Sequence, residues 1–245
     1  MNDTKPFQNK IALVTGSGRG IGRAIATHFA RGGADVVINF FRNRAPAEET
    51  AAQIEALGAD VLVVKANLGD LDDLGRLFDE TQQAFGGLDI FVHNAASGFN
   101  RPALQQRSKG WNWSMNINAR PLLFGAQKAT ALMETRGGGS IVAITSPGSQ
   151  RVLPDYVSVG ASKAALEAVT RYLAIELAPQ NIVVNAVSPG IVITEALEHF
   201  DAIKEDQNLI QRARSLTPAG RLVTPEDVAE VVAFLCSPAA EMIRG

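Results

Sequence analysis

A tyrosine and a lysine seven residues apart, in Tyr156-Val-Ser-Val-Gly-Ala-Ser-Lys163, carry the most legible chemistry in this chain. A phenol can give a hydrogen bond or a proton to an oxygen on which negative charge develops, and a nearby ammonium favours the polarised phenol. The chain has two tyrosines. Tyr172 lies nine residues after Lys163, about 180° round a helix, and so faces away from it. Tyr156 lies about 20° from the face of the lysine and about two turns before it. It shares that face if the helix includes it. If the helix begins later, it enters from the preceding loop, which suits Pro154. Val159, four before Lys163, cannot donate a proton.

The second cluster is Thr15-Gly16-Ser17-Gly18-Arg19-Gly20-Ile21-Gly22. It sits between a short apolar run and a helical pattern. Glycines let the backbone turn sharply and approach a pyrophosphate, and the helix N-terminus offers N–H groups and the favourable end of its dipole. Such a cluster also suits a flexible turn, but its position between strand and helix selects dinucleotide binding. The next strand ends Val37-Ile38-Asn39-Phe40-Phe41-Arg42. It has no acid to bond the ribose hydroxyls and repel a 2′-phosphate. With Phe40 in that place, Arg19 and Arg42 can pair with the phosphate, so the expected cofactor is NADPH.

The elements that must position these groups alternate. Strands are expected at Ile11-Val14, Asp35-Phe40, Val61-Lys65, Leu88-His93, Ser140-Thr145 and Ile182-Val187. Helices are expected at Ile21-Arg31, Ala47-Leu57, Leu71-Phe85, about 112–134, and Ser158-Leu177. Nearly continuous apolar strands alternating with helices predict a parallel sheet covered on both faces. The fold class is α/β, a Rossmann-type doubly wound sheet in three layers, as a single domain over 1–245. The more polar stretch 191–216 reads as a substrate-binding loop, a lid with Ile191, Ile193, Leu197 and Phe200 as apolar contacts.

Composition narrows the classes. With 245 residues the chain can bury a full core. Charged residues make up 20% with a net charge of −2, which points to neither nucleic acid nor an anionic membrane as partner. One cysteine, Cys236, excludes a disulfide framework and a multi-cysteine metal site. No metal is expected. No apolar run reaches a membrane span, and the first ten residues lack a signal-peptide core. These features predict a cytoplasmic protein.

Beyond these clusters the chain resembles the short-chain dehydrogenase/reductase superfamily over nearly its full length. The Gly-x3-Gly-x-Gly spacing is similar to that family's loop. His93-Asn94-Ala95-Ala96 resembles its Asn-Asn-Ala-Gly motif, with His93 in place of the usual asparagine. The resemblance implies that Asn67 and Leu68 hold the adenine, that Asn94 and Ala95 line the nucleotide site, and that Pro189, Gly190, Ile193 and Thr194 orient the nicotinamide. Asn118, seven after Trp111, would hold a water in a proton relay, and Lys163 would bond the nicotinamide ribose. The family's seventh strand would begin at Met242-Ile243-Arg244-Gly245, where this chain stops, so that strand is expected to be missing from it.

The family usually carries its tyrosine four before the lysine. Tyr-x6-Lys instead resembles bacterial enoyl-[acyl-carrier-protein] reductases, above all their NADPH-dependent type III branch. Val92–Gly98, Trp111–Ala119, Arg171–Ala174 and Thr217–Arg221 add to that likeness. In ketone reduction the oxygen that needs a proton is bonded to the carbon that hydride attacks. In an α,β-unsaturated thioester hydride attacks the β-carbon, and charge develops on an oxygen two carbons further along. A displaced donor suits the second case. The resemblance implies an enoyl thioester on acyl carrier protein as substrate, Tyr156 as donor to the enolate, Ser146 as a further site hydroxyl, and a homo-oligomer, dimer or tetramer. NADPH-dependent carbonyl reduction and non-catalytic nucleotide sensing remain the alternatives.

Overall fold

A computed structural model of the chain describes residues 5–194 and 209–245. The expected strands form, as β1 (Ile11–Val14), β2 (Asp35–Phe40), β3 (Val61–Lys65), β4 (Ile90–His93), β5 (Gly139–Ile144) and β6 (Ile182–Val187). They pair in parallel in the order β3-β2-β1-β4-β5-β6. Between them run α1 (Gly20–Arg31), α2 (Arg44–Glu55), α3 (Leu71–Phe85), α4 (Ser108–Asn118), α5 (Arg120–Glu134) and α6 (Val157–Glu176). After β6 come α7 (Leu209–Leu216) and α8 (Pro225–Leu235).

The alternation of side chains along each strand builds two cores. Ala12, Val14, Val36, Ile38, Val92 and Ile144 face one way, onto Ile25 and Phe29 of α1 and Val228 and Val232 of α8. Leu13, Val37, Phe91 and Ile141 face the other way, onto Phe78 of α3, Leu122 of α5 and Leu166 of α6. Both faces are therefore apolar, as a doubly wound parallel sheet requires. The strand order reverses between β1 and β4, and a crevice opens beyond their C-terminal ends, the usual ligand position in such sheets.

One boundary is set by a proline. The helical pattern expected over about 112–134 resolves into two helices, divided at Ala119 (φ −105°, ψ −52°). Pro121 in the first turn of α5 has no N–H to continue the α4 ladder, and it suits a helix start instead. Six strands form the sheet among the described residues. The last residues lie along β6, where Asn185 Nδ2 donates to the Ile243 carbonyl at 2.7 Å and accepts, through Oδ1, from Gly245 N at 2.9 Å.

The opposite end of the sheet is held by one buried carboxylate. Asp89 accepts from the Ile11 N–H at 3.0 Å, from Lys10 Nζ at 2.9 Å and from Arg136 Nε at 2.7 Å. It thereby ties β1 and the end of α5 to the start of β4. Asp89→Ala would leave a buried N–H unmet, while its two cationic partners, half-exposed, regain water. The expected loss is about 2 kcal/mol, which for a domain of this size lowers Tm by about 4–8 °C. Calorimetry should show that drop with dinucleotide affinity unchanged, because the carboxylate lies at the other end of the strands.

Candidate active site

The loop after β1 takes the shape its glycines permit. Gly16 and Gly20 have φ of 63° and 55°, in the left-handed region. A Cβ on Gly16 would meet Ala95 Cα at 3.0 Å, and one on Gly22 would overlap the Gly16 carbonyl and the Asn94 side chain. The loop therefore packs on the segment that follows β4. Asn94 Nδ2 donates to the Thr15 and Gly16 carbonyls at 2.9 and 3.2 Å, and Thr15 Oγ1 accepts from the Asn94 and Ala95 N–H groups at 3.0 and 3.1 Å. Arg19 at the N-cap of α1 supplies no capping side-chain bond, so the first-turn N–H groups stay available to an anion. A pyrophosphate fits this cradle.

A cleft of about 660 Å³ runs from the glycine loop to the lysine, within the usual range for small-molecule sites. Most of the expected cofactor residues line it: Gly16, Gly18, Arg19, Gly20, Ile21, Gly22, Phe40, Arg42, Asn67, Leu68, Asn94, Ala95, Lys163, Pro189, Gly190 and Thr194. Ser17 does not. Its buried hydroxyl donates to the Val14 carbonyl at 2.7 Å and accepts from Asn39 N at 3.1 Å, so it braces the loop from beneath. Ile193 does not line the cleft either, and it is half-exposed. Val192 bridges in parallel to Val223 and turns inward. Extended backbone then sends Ile191 and Ile193 the other way. Leu197 and Phe200 of the expected lid lie outside the described residues.

Tyr156 is the N-cap of α6, with φ −101° and ψ 8°. Its carbonyl accepts the first helical bond, from Gly160 N at 2.7 Å, but its side chain leaves from a non-helical residue. Of the two routes open in the sequence, entry from the loop is the one taken. Gly148 makes room for the ring, since a Cβ there would fall 2.6 Å from Tyr156 Cδ1. The phenol donates to Ser146 Oγ at 3.4 Å, a long contact. Burial raises the phenol pKa, and the Ser146 bond offsets part of that. The group is therefore protonated at neutral pH. Val159 is buried, and Gly98 is the residue that fits against it, because any Cβ at 98 would overlap Val159 Cγ2.

Lys163 is buried, and its ammonium donates to the Ile144 carbonyl at 2.6 Å. Burial lowers its pKa to about 8, with Glu167 one turn along pulling the other way. It stays a cation at neutral pH. Glu167 also fixes the segment after β5, accepting from Thr145 Oγ1 at 2.8 Å and Ser149 Oγ at 2.5 Å. Ser146, Tyr156 and Lys163 line the same cleft. Asn118 lies behind it, fully buried. Its side chain accepts from Ser97 N at 2.8 Å and donates to Ser162 Oγ at 2.8 Å. Its carbonyl accepts from His93 Nε2 at 2.9 Å, a contact that requires the proton on Nε2. Asn118 therefore braces α4 against α6 through its side chain, while its carbonyl holds the His93 ring.

Several lining residues escaped the sequence reading, among them Asn39, Phe41, Ser97, Trp113 and Thr145. Asn39 carried a signal, as a polar residue inside an apolar strand. It is buried, donates to the Ala66 carbonyl at 3.2 Å and accepts from Gly16 N at 3.3 Å. Among the described residues no cluster of three or more His, Cys, Asp or Glu could hold a metal, and no helix is long and apolar enough to cross a membrane.

Known proteins match this arrangement along its length. The family described as Enoyl-(Acyl carrier protein) reductase matches residues 16–245. A 1-cyclohexenylcarbonyl-CoA reductase of Streptomyces collinus is 38% identical over 97% of this chain and 84% of its own. A hydroxynaphthalene reductase-like protein Arp2 of Metarhizium majus is 34% identical, over 98% of this chain and 93% of its own. A short chain dehydrogenase of Burkholderia cenocepacia solved in complex with NADP superposes with a TM-score of 0.88 at 33% identity, covering 98% of this chain and 95% of that one.

His93 makes the site acid-sensitive. Burial and the nearby Lys163 charge lower its pKa from 6.5 to about 4, against the bond to Asn118. Between those values the unfolded chain binds a proton that the folded one does not, so stability falls as pH drops from about 7 towards 4. The expected loss from this group is about 3 kcal/mol. Denaturant unfolding of the wild type and His93→Asn across this range should give a visibly flatter profile for the variant. Parallel profiles would remove His93 as the cause.

Proposed function

This chain belongs to the short-chain dehydrogenase/reductase superfamily and is an oxidoreductase of that type, and we propose that it reduces trans-2-enoyl thioesters on acyl carrier protein. The observation that carries this reading is the phenol itself. Tyr156 reaches the cleft from the N-cap of α6, and Val159 fills the helical position four before Lys163. The donor is thus displaced along the site, as an oxygen remote from the reacting carbon demands. The relative from Streptomyces collinus supports the reading, because the substrate in its name is an α,β-unsaturated thioester.

The glycine loop would hold the pyrophosphate of NADPH, which when bound would supply the hydride for the β-carbon. Tyr156 gives a hydrogen bond or proton to the thioester enolate, and its raised pKa keeps that proton in place until charge develops. Lys163 orients the nicotinamide ribose, and its positive charge stabilises negative charge on the phenol oxygen. Ser146 holds the hydroxyl between turnovers. A second cleft, lined by Arg101, Arg151 and Val152, reaches Tyr156 from the other side. It suits an acyl chain on an anionic carrier arm. Exposed Tyr172 and Ile175 on α6 suit a homo-oligomer, dimer or tetramer, and this reading takes the protein to act in the cytoplasm. The second reading, reduction of a ketone, is favoured by the hydroxynaphthalene reductase-like relatives.

NADPH oxidation separates the two. Crotonyl thioesters of acyl carrier protein and of coenzyme A should be turned over, and the matching 3-oxoacyl thioesters much more slowly. The reverse order would install the ketone reading. Tyr156→Phe should lower kcat for the enoyl substrate about 100-fold with NADPH affinity nearly unchanged. Full turnover by that variant would exclude the phenol from the mechanism.

Cofactor choice is tested apart from the acyl substrate. NADPH should be preferred over NADH, because Phe40 offers no acid at the end of β2 while Arg19 and Arg42 line the cleft beside it. Phe40→Asp combined with Arg42→Ala should shift preference toward NADH by adding repulsion and removing a cation. Equal kcat/KM for the two cofactors in the unmodified enzyme, at one ionic strength, would overturn the assignment.

A further inference from the structure

Arg42 stands at the adenosine end of the cleft and makes no ion pair among the described residues. Two aromatic rings hold it instead. Its guanidinium carbon lies 5.7 Å from the centroid of Phe41 and 5.8 Å from that of Trp113, and the two rings are 6.5 Å apart at 40°. Phe41 is its chain neighbour. Trp113 comes from α4, on the far wall. The indole is itself fixed, because Nε1–H donates to Ser97 Oγ at 2.9 Å, and the Ser97 N–H is anchored on Asn118.

We infer that Trp113 is a positioning residue for cofactor choice: with Phe41 it seats the Arg42 side chain at the mouth of the adenosine end, where the guanidinium meets the 2′-phosphate. This inference rests on the NADPH reading above. A free arginine loses considerable rotamer entropy when it grips a ligand. Stacking against aromatic faces restrains the chain in advance and leaves the in-plane N–H groups open to phosphate oxygens. With no carboxylate paired to it among the described residues, the cation has no partner there to be displaced. A leucine at 113 would keep part of the apolar contact without a π face. The guanidinium would then have one ring in place of two, and its pre-organisation would fall.

Direct calorimetric binding of NADPH and NADH, without acyl substrate, tests this on the full chain. Trp113→Leu should raise the Kd for NADPH about five- to tenfold and move that for NADH less than about twofold. Trp113→Phe should recover most of the loss, because a ring is restored without the indole N–H. In an Arg42→Ala background Trp113→Leu should cost little more, since the two act as one unit. Equal weakening of both cofactors would make Trp113 a wall of the adenine site and overturn the inference. An unchanged NADPH Kd, or full additivity with Arg42→Ala, would overturn it as well. If the wild type binds both cofactors alike, or Arg42→Ala leaves NADPH binding intact, the NADPH reading falls first.

Discussion

One buried hydroxyl joins the halves of this molecule. Thr15 Oγ1 sits beyond β1, lies within 3.3 Å of the Val92 carbonyl, and accepts the N–H groups of Asn94 and Ala95 beyond β4. The strand order reverses between those two strands, so this contact closes the floor of the crevice that the topology opens. The glycine loop can approach so closely only because positions 16 and 22 carry no side chain. A larger residue at either would push the loop off Asn94 and remove the shape on which the anion cradle depends.

The displaced phenol follows from packing as much as from spacing. The loop after β4 comes down on α6 at Gly98 against Val159, and a valine there closes the position with a methyl group. The phenol comes from the turn before the helix. Gly148 admits its ring, and the left-handed Asp155 (φ 59°) reverses the chain just ahead of it. One small residue and one strained one therefore support the aromatic group. Strain of this kind persists where surrounding structure holds it.

Charge in the site is arranged around one buried ammonium. Lys163 meets a strand-end carbonyl directly and a carboxylate, Glu167, at one turn's distance. His93 lies close enough to feel that charge and stays neutral, with its Nε2 proton given to Asn118. The neutral ring is the arrangement that tolerates a neighbouring cation in a low-dielectric interior. The same bond secures the end of α4, from which Trp113 reaches across to Arg42. The Lys163 and Arg42 ends of the cleft thus share one scaffold helix.

The sequence by itself determined the sheet, the helices between its strands and the glycine loop. Those depend on local patterns, the run of apolar residues in a strand, the turn of a helix, the glycine that alone fits a left-handed bend. Tyr156 and Lys163 were legible for the same reason, since their spacing on one segment limits where they can point. It did not determine which side of the helix start Tyr156 falls on, because the cap depends on the chain reversal at Asp155. Nor did it reveal that Ser17 braces rather than lines, that Ile193 turns outward, or that His93 takes the Asn118 carbonyl. Each of those is set by a partner distant in sequence: Asn39, Val223 through Val192, and α4. Trp113 is the clearest case. It lies seventy-one positions from Arg42, and only the packing of α4 beside the end of β2 brings an indole face to a guanidinium.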